Sequence, residues 1–420
     1  MPPPHMCTAS PPPSARSRER SPVTSWPRSP TCSRSCPAPP WEAPMSVDFS
    51  SRWARAEIDS SAITHNAATL RALVAPSRVW AVVKANGYGH GSVEVAQAAL
   101  AGGADGLCVA LVDEGVVLRR AGITAPVLLL SEQPHDQAPL IVGYGLTPTV
   151  TTTMGAAAIG SAGAQQGRAV PVHLKVDTGM HRVGVSPREA LHLARYIDSH
   201  EGLDLEGLYT HFAVADDPEH PANAAQAGLF DDVVSALRAD GISPRIVHAA
   251  NSAAALAAPA RRLDMVRVGI ALYGLQPGPG VAHLCADLRP AMRLVARVSA
   301  VRWIEEGEAV SYGLRRPVDK RSLIATVPIG YADGVPRSLW STGAGALVGG
   351  VARPFAGTIT MDQLMLDCGD DSSVAPGDEV VLIGSQGTER ITADDWARAL
   401  GTIGYEIVCG IAPRIARRHL

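Results

Sequence analysis

Eight short apolar runs, each followed by a stretch with helical spacing that is usually rich in alanine, set the tightest limit on what this chain can fold into. They fall at 79–83, 106–110, 126–131, 146–150, 170–177, 205–212, 246–251 and 265–274. Runs of this length, apolar throughout rather than alternating, are the pattern of strands buried on both faces of a parallel sheet with helical crossovers. Eight such units in about 200 residues predict an α/β fold with a TIM (β/α)8 barrel; an open doubly wound sheet is the alternative. Ahead of them, 54–59 reads as a further strand, and Asp59, Ser60 and Ser61 offer N-cap chemistry for a helix running to about Leu73. Ser186, Pro187 and Glu189 have the spacing of a capping box with proline in the first helical position.

At 420 residues the chain exceeds the usual size of one domain, and 46% hydrophobic residues suffice for large cores. The first 44 residues differ from the rest: two Pro-Pro-Pro strings lie among Ser, Arg and more Pro, a composition that cannot bury a core. We expect 1–44 to be a disordered tail outside the native protein, with the folded part starting at Met45. Gln276 to Gly280 (QPGPG) reads as a linker, after which strand-like segments at 293–303, 323–329 and 379–383 and one capped helix near 392–400 indicate a separate, mainly β C-terminal domain. The expected division is therefore a barrel at 45–280 and a β domain at 281–420, with the strand at 54–59 free to pack with the latter. A net charge of −3 and the lack of long basic runs point away from nucleic acid and membrane partners and toward a small molecule. Seven scattered cysteines without metal-ligand spacing suggest reduced thiols, a cytoplasmic location and no metal site.

Chemistry concentrates at the ends of the predicted strands. The first barrel strand runs into Lys84 and a loop holding Gly87, Tyr88, Gly89 and Gly91. An amine at the mouth of a sheet is partly desolvated, which lowers its pKa and suits it to Schiff-base formation with an aldehyde; taken alone, a lysine snorkelling beside a glycine turn explains the same pattern. In TIM barrels phosphate is often held after strands seven and eight. Here those positions carry Asn251 and Ser252, then Arg267, Gly269 and Ile270.

The string AVVKANGYGHG around Lys84 resembles the lysine motif of the fold-type III pyridoxal-phosphate enzymes, specifically alanine racemases. HLKVDTGMHRVGV (173–185), LYTHFA (208–213), HAANSAA (248–254), MVRVGIALYGL (265–275), VSYG (310–313), PIGYADG (328–334) and TITMDQLM (358–365) are similar to further motifs of that family, in its order. The resemblance implies that Lys84 carries pyridoxal 5'-phosphate (PLP) as an internal aldimine, that Tyr88, Ser252, Gly269 and Ile270 hold its phosphate with Asn251 adjoining, and that Arg267 faces the pyridine nitrogen. It further implies that Arg182 bonds the phenolic oxygen and adjoins the substrate, that Lys175 matches a lysine carbamylated in many relatives, and that Tyr312 is the second acid/base, tied to Arg267 by His211. Tyr331 and the backbone N–H of Met361 would take the substrate carboxylate, with Asp362 in support. The implied activity is two-base interconversion of L- and D-alanine for peptidoglycan synthesis, in a head-to-tail homodimer whose sites are shared between subunits. One departure stands out: Pro413 replaces a phosphate-bonding tyrosine of many relatives, which opens the possibility of weaker cofactor binding or a wider pocket. The alternatives are a broader amino-acid racemase, a decarboxylase of the same fold, whose second-domain Cys motif is not found, and a non-catalytic PLP-binding regulatory protein, a type that lacks a β domain.

Overall fold

The structure, a computed structural model, describes residues 51–420. The predicted tail at 1–44 and the start at Met45 lie outside these residues. After a first strand, β1 (Arg55–Ile58), come the eight strands anticipated from the apolar runs: β2 (Arg78–Val82), β3 (Gly106–Val109), β4 (Val127–Leu129), β5 (Thr149–Val150), β6 (Val170–Lys175), β7 (Leu203–Tyr209), β8 (Ile246–His248) and β9 (Met265–Val268). They form one parallel sheet in the order β4-β3-β2-β9-β8-β7-β6-β5. Its two edges meet at a bridge from Leu128 to Thr147, where Leu129 N–H donates to Thr147 O (2.9 Å) and Thr147 N–H to Val127 O (2.8 Å). The sheet is thus almost closed into a barrel, and the doubly wound alternative, which needs two open edges, falls away.

Several strands end earlier than their apolar runs. The run 265–274 yields only Met265–Val268, because the chain turns at Gly269 and continues as a 3-10 turn, Ile270–Tyr273, in which every residue is buried. Asp59 caps the helix Ser60–Val74 by accepting the N–H of Ala62 at 3.0 Å, as its side-chain chemistry predicts. The capping box at Ser186 does not close: Ser186 is the N-cap and Pro187 the first helical residue, but the serine hydroxyl donates to the Glu189 carboxylate (2.6 Å) instead of accepting a backbone N–H.

The remaining strands are β10 (Met292–Arg297), β11 (Ala300–Ile304), β12 (Ser322–Val327), β13 (Gly345–Val348), β14 (Val351–Pro354), β15 (Leu364–Asp367), β16 (Glu379–Gln386), β17 (Glu389–Ile391) and β18 (Ala416–His419). They build a mainly β second domain from two sheets, β14-β13-β16-β10-β1-β18 with β17 on β16, and β11-β12-β15. The segment 293–303, read as one strand, is two: at Val298 and Ser299 the chain leaves the first sheet for the second, with Val298 N–H donating to Asp378 O and Ser299 N–H to Thr326 O. Strand β1 lies between β10, antiparallel, and β18, parallel with Arg55 opposite Ala416 and Ile58 opposite His419. Chain start and chain end of the described region therefore belong to the same sheet.

Candidate active site

Strand β2 is buried from Val79 to Val82 and delivers Lys84 to the C-terminal mouth of the barrel. Past Lys84 the chain enters a left-handed turn: Ala85, Asn86, Gly87 and Tyr88 have φ of 53°, 52°, 60° and 50°, and Gly89 and Gly91 are at 80° and 99°. Each non-glycine residue in this region costs roughly 1–2 kcal/mol, so the surroundings must hold it. Gly87 N–H donates to Val83 O (2.9 Å), Gly89 N–H to Ala85 O (3.0 Å) and Gly91 N–H to Asn86 O (2.9 Å). Asn86 Oδ1 accepts from Ser92 N–H, and the Glu114 carboxylate takes the N–H groups of Ala85, Ala110 and Leu111. From β18, Arg417 Nε donates to Gly89 O at 2.9 Å. Gly89 is required for a second reason: a Cβ there would lie 2.3 Å from Val408 O.

The turn presents Lys84 and Tyr88 to a cavity of about 440 Å³ at the barrel mouth. Into it project Lys175 from β6, Arg182 and His211 from the loops after β6 and β7, Asn251 and Ser252 after β8, and Arg267, Gly269 and Ile270 from β9 and its end. Among the described residues, four cations and no carboxylate line this space, an arrangement suited to an anionic ligand. Burial lowers the pKa of Lys84, and the charge of Arg182 adds to the effect. Lys175 is brought down to about 8 by burial, then by Arg267, Arg182 and Lys84. Ser252 Oγ accepts the N–H of Gly269 (2.8 Å), and Asn251 Oδ1 accepts that of Ala254 (3.1 Å). A Cβ at Gly269 would come within 2.7 Å of the Tyr88 hydroxyl, so the glycine makes room for that tyrosine.

Arg267 is 3% exposed, and its terminal nitrogens donate to His248 Nδ1 (2.6 Å), Thr210 O (2.9 Å), Ala249 O (2.9 Å) and His211 Nδ1 (3.3 Å). Nε takes no part in these bonds. The donor set fits PLP: an amine held partly out of water for its aldehyde, hydroxyls and backbone groups beside Gly269 for its phosphate, and a buried guanidinium for its ring nitrogen.

Four of the residues singled out from sequence are not brought into this cavity. Tyr312, Tyr331 and Met361 lie in the second domain and are 72%, 40% and 53% exposed, and Asp362 is paired with Arg414. They form one supported surface: Tyr331 N–H donates to Thr360 O and Ala332 N–H to Met361 O, both at 3.0 Å, and Thr358 Oγ1 donates to the carbonyl of Tyr312. Beneath them the buried Asp333 is bonded by Arg52 (2.7 Å) and Arg414 (2.6 Å). His211 touches Arg267, while its proposed link to Tyr312 is not made within one chain.

Tyr209, Tyr405 and Cys409 also line the cavity and were not assigned to it from the sequence. Tyr209, two residues before His211, donates to Leu130 O, stacks on His248 and carries Arg267 5.0 Å from its ring centre. Strand alternation within LYTHFA was the signal for it. Tyr405 and Cys409 enter from the helix Gly404–Cys409. Pro413 is exposed and does not line the cavity.

His90, inside the lysine string, is fully buried; its Nδ1 is 2.9 Å from Tyr88 O, and Nε2 has no partner among the described residues. Burial lowers its pKa to about 4. An ordinary histidine titrates near 6.5, so between these values the unfolded chain binds a proton that the folded one rejects. His90 therefore leaves stability unaffected above about pH 6.5 and removes it as pH falls toward 4, by about 2–3 kcal/mol at pH 4.5. In denaturant titrations at pH 7.5 and 4.5, His90→Asn should lose less stability on acidification than the wild type by about this amount. Equal losses would show that His90 is not held neutral.

Residues 58–277 match the family "Alanine racemase, N-terminal domain", and residues 291–419 match "Alanine racemase, C-terminal domain". The alanine racemase of Symbiobacterium thermophilum is 46% identical over 362 residues, covering 86% of this chain and 96% of the relative. That of Desulfovibrio desulfuricans is 44% identical over 366 residues, covering 87% and 97%. Among solved structures, the alanine racemase from E. faecalis matches with a TM-score of 0.82 at 40% identity, covering 88% of this chain and 98% of that one. With its barrel, its second domain and nearly the full length of its relatives accounted for, the chain belongs to the alanine racemase family.

Proposed function

We propose that this protein interconverts L- and D-alanine using PLP bound at Lys84, as a homodimer that works in the cytoplasm on a small-molecule substrate and supplies D-alanine for peptidoglycan synthesis. The observation that carries the reading is the meeting, among the described residues, of a partly desolvated lysine with three further cations and no carboxylate in one cavity. Family membership gives that cavity its chemistry. When bound, PLP supplies an electron sink for the α-carbon of an amino acid. Tyr88, Ser252, Gly269 and Ile270 hold its phosphate, with Asn251 capping the adjoining turn. Arg182 meets the phenolic oxygen, and Arg267, through Nε, meets the ring nitrogen. Being unable to give up its proton, Arg267 keeps that nitrogen unprotonated and restrains side reactions such as transamination. The amine of Lys175, brought near neutral pH, has the unprotonated fraction that carbamylation by carbon dioxide needs.

Racemisation removes a proton from one face of the α-carbon and returns one to the other, which calls for two opposed groups. Lys84 serves the D face. Tyr312 serves the L face, from a second copy of the chain, with Tyr331 and the backbone N–H of Met361 taking the carboxylate and Asp362 steadying their loop. The exposure of Tyr312, Tyr331 and Met361 supports this division, since large side chains presented together on a braced surface suit a partner. An arginine only donates, so His211 accepts at Nδ1 and carries its proton on Nε2, as a donor that favours the phenolate of Tyr312.

The test is purified protein with PLP, given L-alanine, L-serine and L-lysine separately, with products resolved on a chiral column. Racemisation fastest with L-alanine is expected. Because Pro413 leaves the cavity without the tyrosine of many relatives, serine turnover comparable to alanine turnover would establish a broader racemase. No racemisation of any of them would refute the proposal.

A further inference from the structure

Behind the cavity a row of polar groups crosses the barrel. Arg267 Nη1 on β9 bonds His248 Nδ1 on β8 at 2.6 Å, and His248 Nε2 lies 2.9 Å from His173 Nδ1 on β6. His173 Nε2 faces the Glu206 carboxylate on β7 at 3.5 Å, an ion-pair distance, and has no hydrogen-bond partner among the described residues. Glu206 in turn faces Arg245 at the surface, 3.5 Å away. Both imidazoles are fully buried. Room for the His173 ring comes from Gly207, its neighbour in register, where a Cβ would lie 2.5 Å from His173 Nδ1.

The two ends of this row fix its middle. Guanidinium nitrogens only donate and a carboxylate only accepts, so His248 and His173, as neutral rings, have one arrangement that satisfies every link: both carry the proton on Nε2. Burial disfavours the charged forms of both rings, so neutrality is the state to expect. Arg267 bonds only carbonyls and imidazoles, and the nearest carboxylate along this row is that of Glu206. We propose that Glu206, which does not line the cavity, is a positioning residue that faces the Nε2 proton of His173 and so holds His173, His248 and, through them, the orientation of Arg267. This rests on the reading that Arg267 faces the cofactor.

The first test needs no variant. In protein labelled with 15N-histidine, Nδ1 of His173 and His248 should have the shift of an unprotonated nitrogen and Nε2 that of a protonated one; a proton on Nδ1 of either ring would overturn the proposal. The second compares Glu206→Leu, which removes the acceptor, with Glu206→Gln, which keeps an acceptor oxygen. Glu206→Leu should lower kcat by about ten-fold with KM little changed and shift the near-visible absorption of the PLP-loaded protein, and Glu206→Gln should recover most of both. Wild-type kcat and absorption in folded Glu206→Leu, or a Glu206→Gln as impaired as Glu206→Leu, would overturn it; if Glu206→Leu does not fold, Glu206→Ala takes its place with the same expected and overturning results. Failure of the racemase reading would look different, as no turnover and no near-visible band in the wild type itself.

Discussion

Lys84→Ala is expected to lose at least about 10⁴-fold in racemisation, the upper end of what general acid–base catalysis alone contributes, since this variant also lacks the covalent anchor of the cofactor. The near-visible absorption of the PLP-loaded protein should vanish after dialysis. Lys175 is the other amine in the cavity, but it lies against Leu130 O and the Tyr209 ring. The fold should survive. Lys84 is one of four cations in the cavity and Arg182 already lowers its pKa by like charge, so removing it relieves repulsion, and Tm should be unchanged or higher. Lys84→Arg separates the two roles of charge and nucleophile: it keeps a cation and should be equally inactive, because a guanidinium forms no imine under these conditions. A dialysis-stable band in either variant would place the anchoring amine elsewhere.

The barrel was legible because its strands are buried on both faces, so each shows as an unbroken apolar run. The ends of those strands were not. Apolar side chains continue through Gly269 into the 3-10 turn Ile270–Tyr273, since that turn is as buried as the strand before it, and hydropathy does not see where ladder bonding stops. The switch between sheets at Val298 and Ser299 was hidden for the same reason: β10 and β11 are both strands, and only their partners differ. Within the site, the glycines marked the turn after Lys84, but the lysine itself was singled out by the resemblance of the whole string AVVKANGYGHG, and Ala85, Asn86 and Tyr88 share the left-handed conformation without being glycine. His173 and His248 carry no such mark, because a histidine inside a strand reads as ordinary core until its ring nitrogens find partners on other strands. Tyr405 and Cys409 reach the barrel mouth from a helix near the chain end, a meeting that no local pattern encodes.

The position of Tyr312 leads to the other large effect, activity regained by mixing two inactive variants. Tyr312 is 72% exposed and absent from the cavity lining that holds Lys84, so within one chain the two proposed bases do not share a site. If a second copy supplies Tyr312, Lys84→Ala and Tyr312→Phe fail for complementary reasons. Unfolded and refolded together in equal amounts, with PLP, they should pair at random, giving about half mixed dimers. In each mixed dimer one site combines both defects and the other combines neither, so roughly a quarter of wild-type activity should return. Each variant refolded alone should stay inactive, which excludes recovery by refolding itself. Were both bases drawn from the same chain, every site in every dimer would carry one defect and mixing would restore nothing. Separating the mixed dimers with two affinity tags sharpens the measurement: the isolated heterodimer should show about half the wild-type rate per dimer, from one working site. A well-folded heterodimer without activity would exclude the shared site and leave Tyr312 without access to the substrate.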